Sequence, residues 1–581
     1  MSQGAPDRLL RVDLSAERVE SEPVPERWRR RYVGGKGLGA RYLYEELEAG
    51  VDPLGPANAL LFMLGPVSGY LPGDGRYAAV TKSPLTGAFL DSYAGGDFPA
   101  TLAGALADHV GVLVTGRASD PVRLVVSDGD GRIEPADTWG RDAVETARAF
   151  PEACVACIGP AGERRVAYAT IASDEATHHA GRGGAGAVMG AKRLKAVVAR
   201  GEPPTPDESL ATLRDAETDR YAESDTGRWL AASETLETVD FADETDVLAS
   251  RGWQERGFDA AEDVGIEAAR EAASGRERDG PIPGGFRIET DEGETVPRGA
   301  TGMSLGAGLG IDDFDAVAGL GERCNRLGVD LISAGNAIAW AIRAAESGVV
   351  DRELSFGEPA VARDLLDEIA ARSPPLGDAL ADGVDAAADR FGGSDLVPAV
   401  KRMSLPNYDP GAVAGMALAY ATSDRGGCHR RARPVERAVF DTQWGPERAA
   451  AAVVAAQDAR SLRWSLVADD FAGEALDVAA WLEAVGAPYD DLENAGERIW
   501  TLVRLFNVRE GFDRDDDACP PALDADGDLD AERFDAMVDA YYAIRGWGRQ
   551  GRPTPETLAR LDLGGVPDEQ TPLATDAAST P

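Results

Sequence analysis

Apolar and polar positions alternate in short runs over the first 200 residues, a pattern that predicts β-strands. The runs are separated by Gly, Pro and Asp, and the clearest are Leu9–Leu14, Ala59–Leu64, Val122–Val126 and Leu194–Ala199. A helix is predicted over Leu38–Glu48, directly after a glycine-rich stretch. Because residues 201–206 read as a proline-rich linker, we assign residues 1–203 to an N-terminal β-rich domain.

Beyond residue 207 the apolar spacing changes to that of helices. Apolar residues recur at helical spacing from Phe314 to Leu327, and a second helix is predicted from Ser333 to Gly348. Further helices are predicted at 446–458, 493–509, 531–544 and after Thr554. The polar, glycine-rich stretch 272–300 is predicted to be irregular.

The two patterns together predict an α+β fold in which the N-terminal β-rich domain is followed by two mainly α-helical domains. We place the helical domains at residues 207–400 and 401–566. Residues 567–581 are polar and contain proline, so we predict a disordered tail there.

Charge narrows the choice of partners. The chain of 581 residues carries 100 acidic and 59 basic residues, a net charge of −41, and only five of the basic residues are lysine. Such acidity argues against nucleic acid and against anionic membranes as partners. We interpret it as adaptation to high salt, where ions screen the self-repulsion. No apolar run is long enough to span a membrane and cysteines are few, so we expect a cytoplasmic protein.

No motif predicts a metal site made of protein side chains alone. Cys154 and Cys157 lie three residues apart in an apolar run, so as a strand they would point to opposite faces and not chelate zinc. His178-His179 lacks further ligands at suitable spacing. The acidic stretch Asp524–Asp528 lacks the glycine and the glutamate of a calcium loop.

Two loops of small residues each contain an arginine, Arg76 in the stretch 75–96 and Arg182 in the stretch 180–190. Glycine-rich backbone approaches a ligand closely, and arginine favours phosphate, so the pair suggests a phosphate-bearing ligand. Tight turns in a packed β domain are the alternative. His429, in a polar loop among arginines, is either a proton donor or acceptor or a surface histidine.

Taken in order, these segments resemble the aldehyde ferredoxin oxidoreductase family of tungstopterin enzymes, over about residues 8–565. The resemblance is carried by the stretches Tyr32–Leu38, 75–96, Ile158–Glu163, 181–192, Leu309–Asp313, Cys324–Asp330, Leu418–Ser423, Gly496–Trp500 and Leu505–Gly511. It implies a tungsten or molybdenum bis-pterin cofactor between the domains, with magnesium bridging the pterin phosphates. The chain looks like a divergent member of haloarchaeal type that lacks the iron–sulfur cysteines.

The resemblance also implies site residues. The family grips its two pterins with two D-x-x-G-L-D/C motifs, which appear here as Asn325–Asp330 and as Asp458–Arg463. It implies His429 as the catalytic residue. The cofactor-binding residues that it implies are Arg76, Tyr93, Gly95, Arg182, Gly183, Ala185, Asn325, Gly328, Asp330, Arg431, Asp458 and Leu462.

The departures from the family pattern are chemical. The family holds a [4Fe-4S] cluster with three cysteines of its second domain and the cysteine that ends its second motif. This chain has no cysteine between residues 158 and 323, and Arg463 replaces the last ligand. We therefore predict that the cluster is absent. In addition, Tyr93 replaces the asparagine of the magnesium loop, and Ala300 stands near the position of a glutamate base.

Two functions follow from this resemblance. The first is an oxidoreductase acting on a small aldehyde or other oxo substrate, with electron transfer to ferredoxin or another redox partner, and with a homodimer as its oligomeric state. The alternative is a degenerate, non-catalytic paralogue that binds a pterin or a protein partner.

Overall fold

The computed structural model of the protein describes residues 5–73, 75–409, 413–434, 444–519 and 531–578. The acidic stretch Asp524–Asp528 lies outside these residues. The predicted fold class is confirmed, because two six-stranded sheets form the N-terminal part and helices dominate the rest. None of the described helices is long and apolar enough to cross a membrane.

The first sheet has the strand order β2-β1-β6-β3-β4-β5, and the second has the order β11-β10-β9-β12-β7-β8. Each sheet contains one parallel pair, β1 with β6 and β7 with β12, among antiparallel neighbours. The strands of the first sheet are β1 Arg8–Asp13, β2 Arg18–Pro23, β3 Leu60–Met63, β4 Tyr77–Lys82, β5 Phe89–Ala94 and β6 His109–Thr115. Those of the second are β7 Val122–Ser127, β8 Asp130–Pro135, β9 Cys154–Cys157, β10 Ile171–Ser173, β11 His178–Ala180 and β12 Leu194–Arg200.

Strands β3, β4 and β5 of the first sheet are buried on both faces, whereas the edge strand β2 is largely exposed. Along β3, Leu60 and Phe62 point into the core between the sheets, and Leu61 and Met63 point to a layer of helices. This is the period of two expected of a strand. That helical layer includes residues of the C-terminal helix Ala495–Arg509, so the chain's two ends share one core.

Six helices accompany the sheets, at Glu26–Tyr32, Gly35–Glu46, Phe98–Leu106, Ala143–Arg148, Pro160–Glu163 and Ala185–Ala191. The helices between residues 207 and 400 are Glu208–Ala222, Asp225–Ser233, Glu237–Glu244, Ala261–Val264, Ile266–Ala272, Gly299–Thr301, Phe314–Leu327, Leu331–Glu346, Pro359–Ala371, Leu376–Leu380 and Val384–Phe391. Those that follow are Ala414–Ala421, Pro446–Ser465, Val478–Ala484, Ala495–Arg509, Ala531–Arg545 and Pro555–Arg560. Short strands occur at Ala249–Ser250, Glu255–Arg256, Ala273–Arg276, Phe286–Thr290, Gly293–Thr295, Ala399–Val400 and Met403–Ser404.

Three elements differ from their predicted form. The helix predicted from Leu38 begins at Gly35, so that Gly35 and Gly37 lie in its first turn. A Cβ on Gly37 would lie 2.2 Å from the Tyr32 carbonyl oxygen, so the close approach to Tyr32 requires glycine there. The stretch 272–300 is not irregular but holds a three-stranded antiparallel sheet. Its alternating Phe286 and Ile288 pack into a small core, a signal that the surrounding glycines hid.

The third difference concerns the helix predicted at 446–458, which continues to Ser465. The C-terminal stretch also differs from a disordered tail. Arg509 pairs with Asp568 at 3.0 Å, and the Ala578 amide donates to the Trp547 carbonyl at 2.7 Å. Polar composition predicted disorder, but these contacts hold residues 568–578 against the helices.

All five lysines are buried and bonded: Lys36, Lys82, Lys192, Lys195 and Lys401. Lys401 pairs with Asp517 at 2.7 Å and Lys195 with Glu163 at 2.5 Å. The solvent-facing basic residues are therefore arginines. The remaining surface is strongly acidic, which agrees with the salt adaptation inferred from composition.

Candidate active site

A cavity of about 710 Å³ lies where the N-terminal sheets meet the helices, a size typical of a small-molecule site. Six predicted site residues line it: Arg76, Tyr93, Arg182, Asn325, Asp330 and His429. They come from three separate parts of the chain, so the fold brings together what the sequence keeps far apart. The predicted residues outside its lining are Gly95, Gly183, Ala185, Gly328, Arg431, Asp458 and Leu462.

The loop before helix Ala185–Ala191 presents Arg182 to the cavity. Arg182, Gly183 and Gly184 all have positive φ, of 61°, 99° and 87°, a strained state for the arginine. One terminal nitrogen of Arg182, Nη2, donates to the carbonyl oxygens of Ser404 at 2.6 Å and Gly427 at 2.5 Å. Two of its other nitrogens, Nε and Nη1, are buried without a hydrogen-bond partner among the described residues. Burial lowers the pKa of Arg182.

The first motif places Asp330 opposite this arginine. Gly328 ends helix Phe314–Leu327 in the left-handed conformation, with φ 70°, which lets Asp330 cap the next helix. The Asp330 carboxylate accepts from the Ser333 amide at 2.8 Å and lies 3.8 Å from Arg182 Nη1. A Cβ on Gly181 would approach its Oδ1 to 3.1 Å, so the small residue keeps this approach open. The sequence did not predict the capping role.

His429 lines the cavity as a neutral imidazole. Burial, together with Arg430 and Arg182, lowers its pKa well below the usual range. Its Nδ1 is buried and has no hydrogen-bond partner among the described residues. Of the two interpretations left open by the sequence, this position differs from that of a solvated surface histidine.

The second predicted phosphate ligand, Arg76, is already paired. Its Nη2 donates to Asp469 Oδ2 at 2.8 Å. The neighbouring Asp470 accepts from Arg430 Nε at 2.6 Å, and although burial opposes it, Arg430 and Arg76 lower the pKa of Asp470. These cavity-lining acids were missed, because no sequence pattern marks the loop after residue 465.

Tyr93 adjoins a buried quartet of charges. The quartet consists of Lys36, Asp91, Asp424 and Arg431, whose side chains are at most 4% exposed. Lys36 Nζ lies 3.2 Å from Asp91 Oδ2 and also binds Asp424, while Arg431 donates to Asp424 at 2.6 Å and binds Asp91. The Tyr93 hydroxyl donates to Asp91 at 2.5 Å. Two cations and two anions thus satisfy one another without a ligand.

An aromatic pair covers the same region. Tyr93 stacks on Trp464, with ring centroids 5.5 Å apart and an interplanar angle of 27°. The Arg431 guanidinium lies 4.5 Å from the centroid of the Trp464 ring. Trp464 reaches this position because helix Pro446–Ser465 continues past Ser461, the residue that replaces the glycine of the second motif.

The second motif itself faces away from the cavity. Asp458 lies in the middle of helix Pro446–Ser465 and accepts from Arg545 Nη1 at 2.5 Å. Burial raises the pKa of Asp458, although Arg545 opposes this. Leu462 packs near Val33, and Arg463 donates to the Glu474 carbonyl at 2.7 Å.

The remaining glycine and alanine positions support the loops. The Gly95 carbonyl accepts from Ser173 at 3.3 Å, and the Gly183 carbonyl accepts from Ser83 at 2.7 Å. Ala185 begins the helix that follows Arg182. These residues shape the wall behind Arg182 but do not line the cavity.

A rim of charged residues that the sequence did not predict closes the cavity on the helical side. Glu277, in the loop of the three-stranded sheet, bonds His178 Nε2 at 2.9 Å and accepts from Arg298 at 2.9 Å. Ala300 lies just beyond Arg298 and lines the cavity as well. The π-helix Gly302–Gly306 follows and contributes Ser304, whose buried hydroxyl has no partner among the described residues. Such π-turns are frequent at functional sites.

His179, the neighbour of His178, stays neutral. Its Nδ1 lies 2.8 Å from the Thr170 hydroxyl, and its Nε2 lies 2.8 Å from the Ala176 carbonyl. A neutral ring with its proton on Nε2 satisfies both contacts. Desolvation lowers the pKa of His179 to about 4.

The cysteines lie apart from one another. Cys154 packs in the core between the sheets and Cys157 in the core on the opposite face of the second sheet, as strand alternation predicts. Cys428 receives a hydrogen bond from Arg425 at 3.1 Å. Although burial opposes it, Arg425 and Arg431 lower the pKa of Cys428 to about 7. Within the described part of the chain, no group of three or more His, Cys, Asp or Glu residues is arranged to hold a metal ion.

Family profiles match nearly the whole chain. Residues 9–201 match the profile "Aldehyde ferredoxin oxidoreductase, N-terminal domain", and residues 212–563 match "Aldehyde ferredoxin oxidoreductase, domains 2 & 3".

Full-length relatives agree. The tungsten-containing aldehyde ferredoxin oxidoreductase of Pyrococcus abyssi is 31% identical over 607 residues, with 96% of this chain and 98% of the relative covered. The enzyme of the same name from Thermococcus kodakarensis is 30% identical over 611 residues, with the same coverage. An aliphatic sulfonate oxidoreductase, WOR-like subunit, of Pyrococcus furiosus is 34% identical over 226 residues, 34% of this chain and 35% of its own length.

A solved structure shares the fold. The active site complex BamBC of benzoyl coenzyme A reductase, in complex with 1,5-dienoyl-CoA, superposes with a TM-score of 0.82. The alignment covers 98% of each chain at 24% sequence identity, so it speaks for the fold alone.

Proposed function

The chain belongs to the aldehyde ferredoxin oxidoreductase family, and we propose that it is an oxidoreductase acting on the aldehyde or other oxo group of a small substrate. Pterin-bound tungsten or molybdenum is its cofactor. The observation that carries this proposal is the cavity wall formed by Arg182, Asp330 and His429, where buried polar atoms are left for a ligand. Nothing in the structure or the comparisons favours the non-catalytic alternative.

The residues at the first motif fit a phosphate-bearing pterin. Arg182 offers two buried N–H-bearing nitrogens, Nε and Nη1, without partners among the described residues. Leaving such donors unsatisfied costs free energy, so a bound anion that accepts from them is favoured. Asp330, with Asn325 beside it, supplies carboxylate and amide groups that suit the hydrogen-bonding ring of a pterin.

When bound, the metal-pterin would supply the two-electron acceptor for the conversion of an aldehyde and water to a carboxylate. His429, the proposed catalytic residue, is held neutral and presents a ring nitrogen without a described partner, which can accept a hydrogen bond from the substrate or from water. Arg182 fixes the position of the ligand's anionic group through donors that two carbonyl contacts already orient.

The same residues do not fit a magnesium ion at Tyr93. The phenol replaces an amide oxygen with a poorer ligand, and its hydroxyl already donates to Asp91. Burial raises the pKa of Tyr93 well above its usual range, which keeps the phenol protonated.

We also propose that electrons leave for an acceptor such as ferredoxin without a [4Fe-4S] cluster in this chain. Support comes from the sequence, with no cysteine between residues 158 and 323, and from Arg463, which is bonded to the Glu474 carbonyl. Four converging thiolates are needed for a cubane.

Metal analysis of the protein purified at high salt tests the function and the missing cluster together. We expect tungsten or molybdenum near one atom per chain, without iron. If the protein contains neither metal although the cells were supplied with both, the proposed function is overturned. Four iron atoms per chain would contradict the proposed absence of the [4Fe-4S] cluster but would not affect the proposed function.

A further inference from the structure

We propose that the cavity holds a single pterin, bound at the first motif, and that the protein's own side chains occupy the place of a second. This inference rests on the proposed function, since it concerns how many pterins accompany the metal. It departs from the bis-pterin cofactor that the resemblance implies.

The first motif is built as an open cradle. Gly328 turns the chain so that Asp330 begins a new helix, and both Asn325 and Asp330 line the cavity. Arg182 stands opposite with two nitrogens that no described residue satisfies. A ligand at this wall therefore finds a carboxylate, an amide and a cation that face it together.

The second motif presents none of these groups to the cavity. With serine at position 461, the helix runs on to Ser465, so Asp458 sits within a continuous helix instead of at its end. In that position the surrounding backbone amides are spent on helical hydrogen bonds. The Asp458 carboxylate is bound to Arg545, whose side chain is 0% exposed and also donates to Gln457 at 2.9 Å. Asp458 has no share in the cavity lining.

The extra helical turn also fills space. It carries Trp464 onto Tyr93 and Arg431, and the Trp464 indole donates to Asp470 at 3.0 Å. Trp464 is 2% exposed and Tyr93 is 3% exposed. A second pterin would have to displace this stack.

The quartet itself also offers a second phosphate no unpaired cation. Lys36 and Arg431 are matched by Asp91 and Asp424 in the buried quartet. Although burial opposes it, Arg431 and Lys36 lower the pKa of Asp424, which keeps that carboxylate charged. A phosphate dianion placed here would meet a neutral cluster whose charges are already paired. Its attraction to the cluster would not offset the free energy needed to desolvate the phosphate. At the quartet and the Trp464 stack, a second pterin therefore finds neither an unpaired charge of the quartet nor room.

The ratio of pterin to metal tests the proposal. Holoprotein purified at high salt from cells supplied with tungstate and molybdate is assayed for both metals by mass spectrometry and for pterin as its fluorescent oxidation product. We expect one pterin per metal atom. A ratio of two would overturn the single-pterin proposal and leave the proposed function intact. Absence of both pterin and metal would overturn the two together.

Matched variants locate the pterin. Asp330→Asn should lower the pterin bound per folded chain at least tenfold, whereas Asp458→Asn should change it less than twofold. Circular dichroism confirms that each variant is folded. If Asp330→Asn does not fold, Asn325→Ala replaces it, since Asn325 is only half-buried and its amide donates to the Thr295 hydroxyl at 3.2 Å. Equal losses from Asp458→Asn and the first-motif variant would overturn the proposal.

Discussion

Two short motifs of similar pattern have opposite surroundings in this protein. At Asn325–Asp330 a glycine ends one helix, and the following aspartate caps the next helix at the edge of the cavity. At Asp458–Arg463 a serine replaces that glycine, the helix continues, and the aspartate pairs with Arg545. A glycine at the fourth position thus accompanies a turn at the cavity, and a serine there accompanies a continuous helix.

In this protein a retained aspartate does not by itself retain a place at the cavity. Asp458 is kept in sequence, yet its backbone environment and its partner have changed. The first motif has changed its leading residue to Asn325 and still lines the cavity. For helix-end motifs, the residue that ends the helix matters more than the charged residue, because it decides where that charge points.

On the side of the second motif, the stability of the fold should depend most on the buried quartet of charges. Lys36→Met leaves two carboxylates against one arginine, in a site where Lys36 is 0% exposed. We expect a loss of about 3–5 kcal/mol in the free energy of unfolding, because one partner of a buried cluster is removed. Chemical denaturation at high salt measures it. Lys82→Met, which breaks the buried Lys82–Glu510 pair elsewhere, is the matched control and should cost a comparable amount. A loss below about 1 kcal/mol for Lys36→Met alone would show that the quartet does not hold this half.

On the side of the first motif, stability should depend on pH. His179 lines the cavity there and has a folded-state pKa of about 4, against an ordinary value of 6.5. Between these values the unfolded chain binds the extra proton, so stability falls as pH drops, by up to about 1.4 kcal/mol per pH unit. His179→Gln should lose this part of the dependence. Denaturation of both proteins at pH 7 and pH 4.5 checks it, and identical pH dependence in both would contradict the assignment.

The Asp458–Arg545 pair should act on stability and not on the ligand. Asp458→Asn removes a charge-assisted hydrogen bond to the buried Arg545 and should cost about 1.5–3 kcal/mol. Asp330→Asn, which keeps a capping side chain, should cost less than about 1 kcal/mol. Thermal unfolding without cofactor compares the two. A larger stability loss for Asp330→Asn than for Asp458→Asn would contradict the structural role assigned to Asp458.

Much of this contrast was within reach of the sequence. The strand and helix periods, the arginine loops, and the substitution of glycine by Ser461 are local features. The end of the helix was nevertheless predicted at 458, because the apolar period fades there. The quartet could not be predicted, since it joins Lys36, Asp91, Asp424 and Arg431 across nearly 400 positions of sequence. The pairing of Asp458 with Arg545, which lie 87 residues apart, is likewise a long-range contact that no local pattern marks.

The smallest effect is expected from the residue by which the two motifs differ at their fourth position. Ser461→Gly restores the glycine and should cost only about 0.5 kcal/mol, the difference in helix propensity. We expect the helix to remain continuous and the pterin content to stay the same, because the Asp458–Arg545 pair and the Trp464 stack persist. Pterin assay and thermal unfolding of this variant check both points. A doubling of pterin content would show that the serine alone closes the second half.

The most direct test of the account is a crystal structure of the holoprotein grown at high salt. We predict density for one pterin against Arg182 and Asp330, with Tyr93 still stacked on Trp464 and Asp458 still paired with Arg545. Density for two pterins, with that stack displaced and Asp458 turned to the second one, would contradict it.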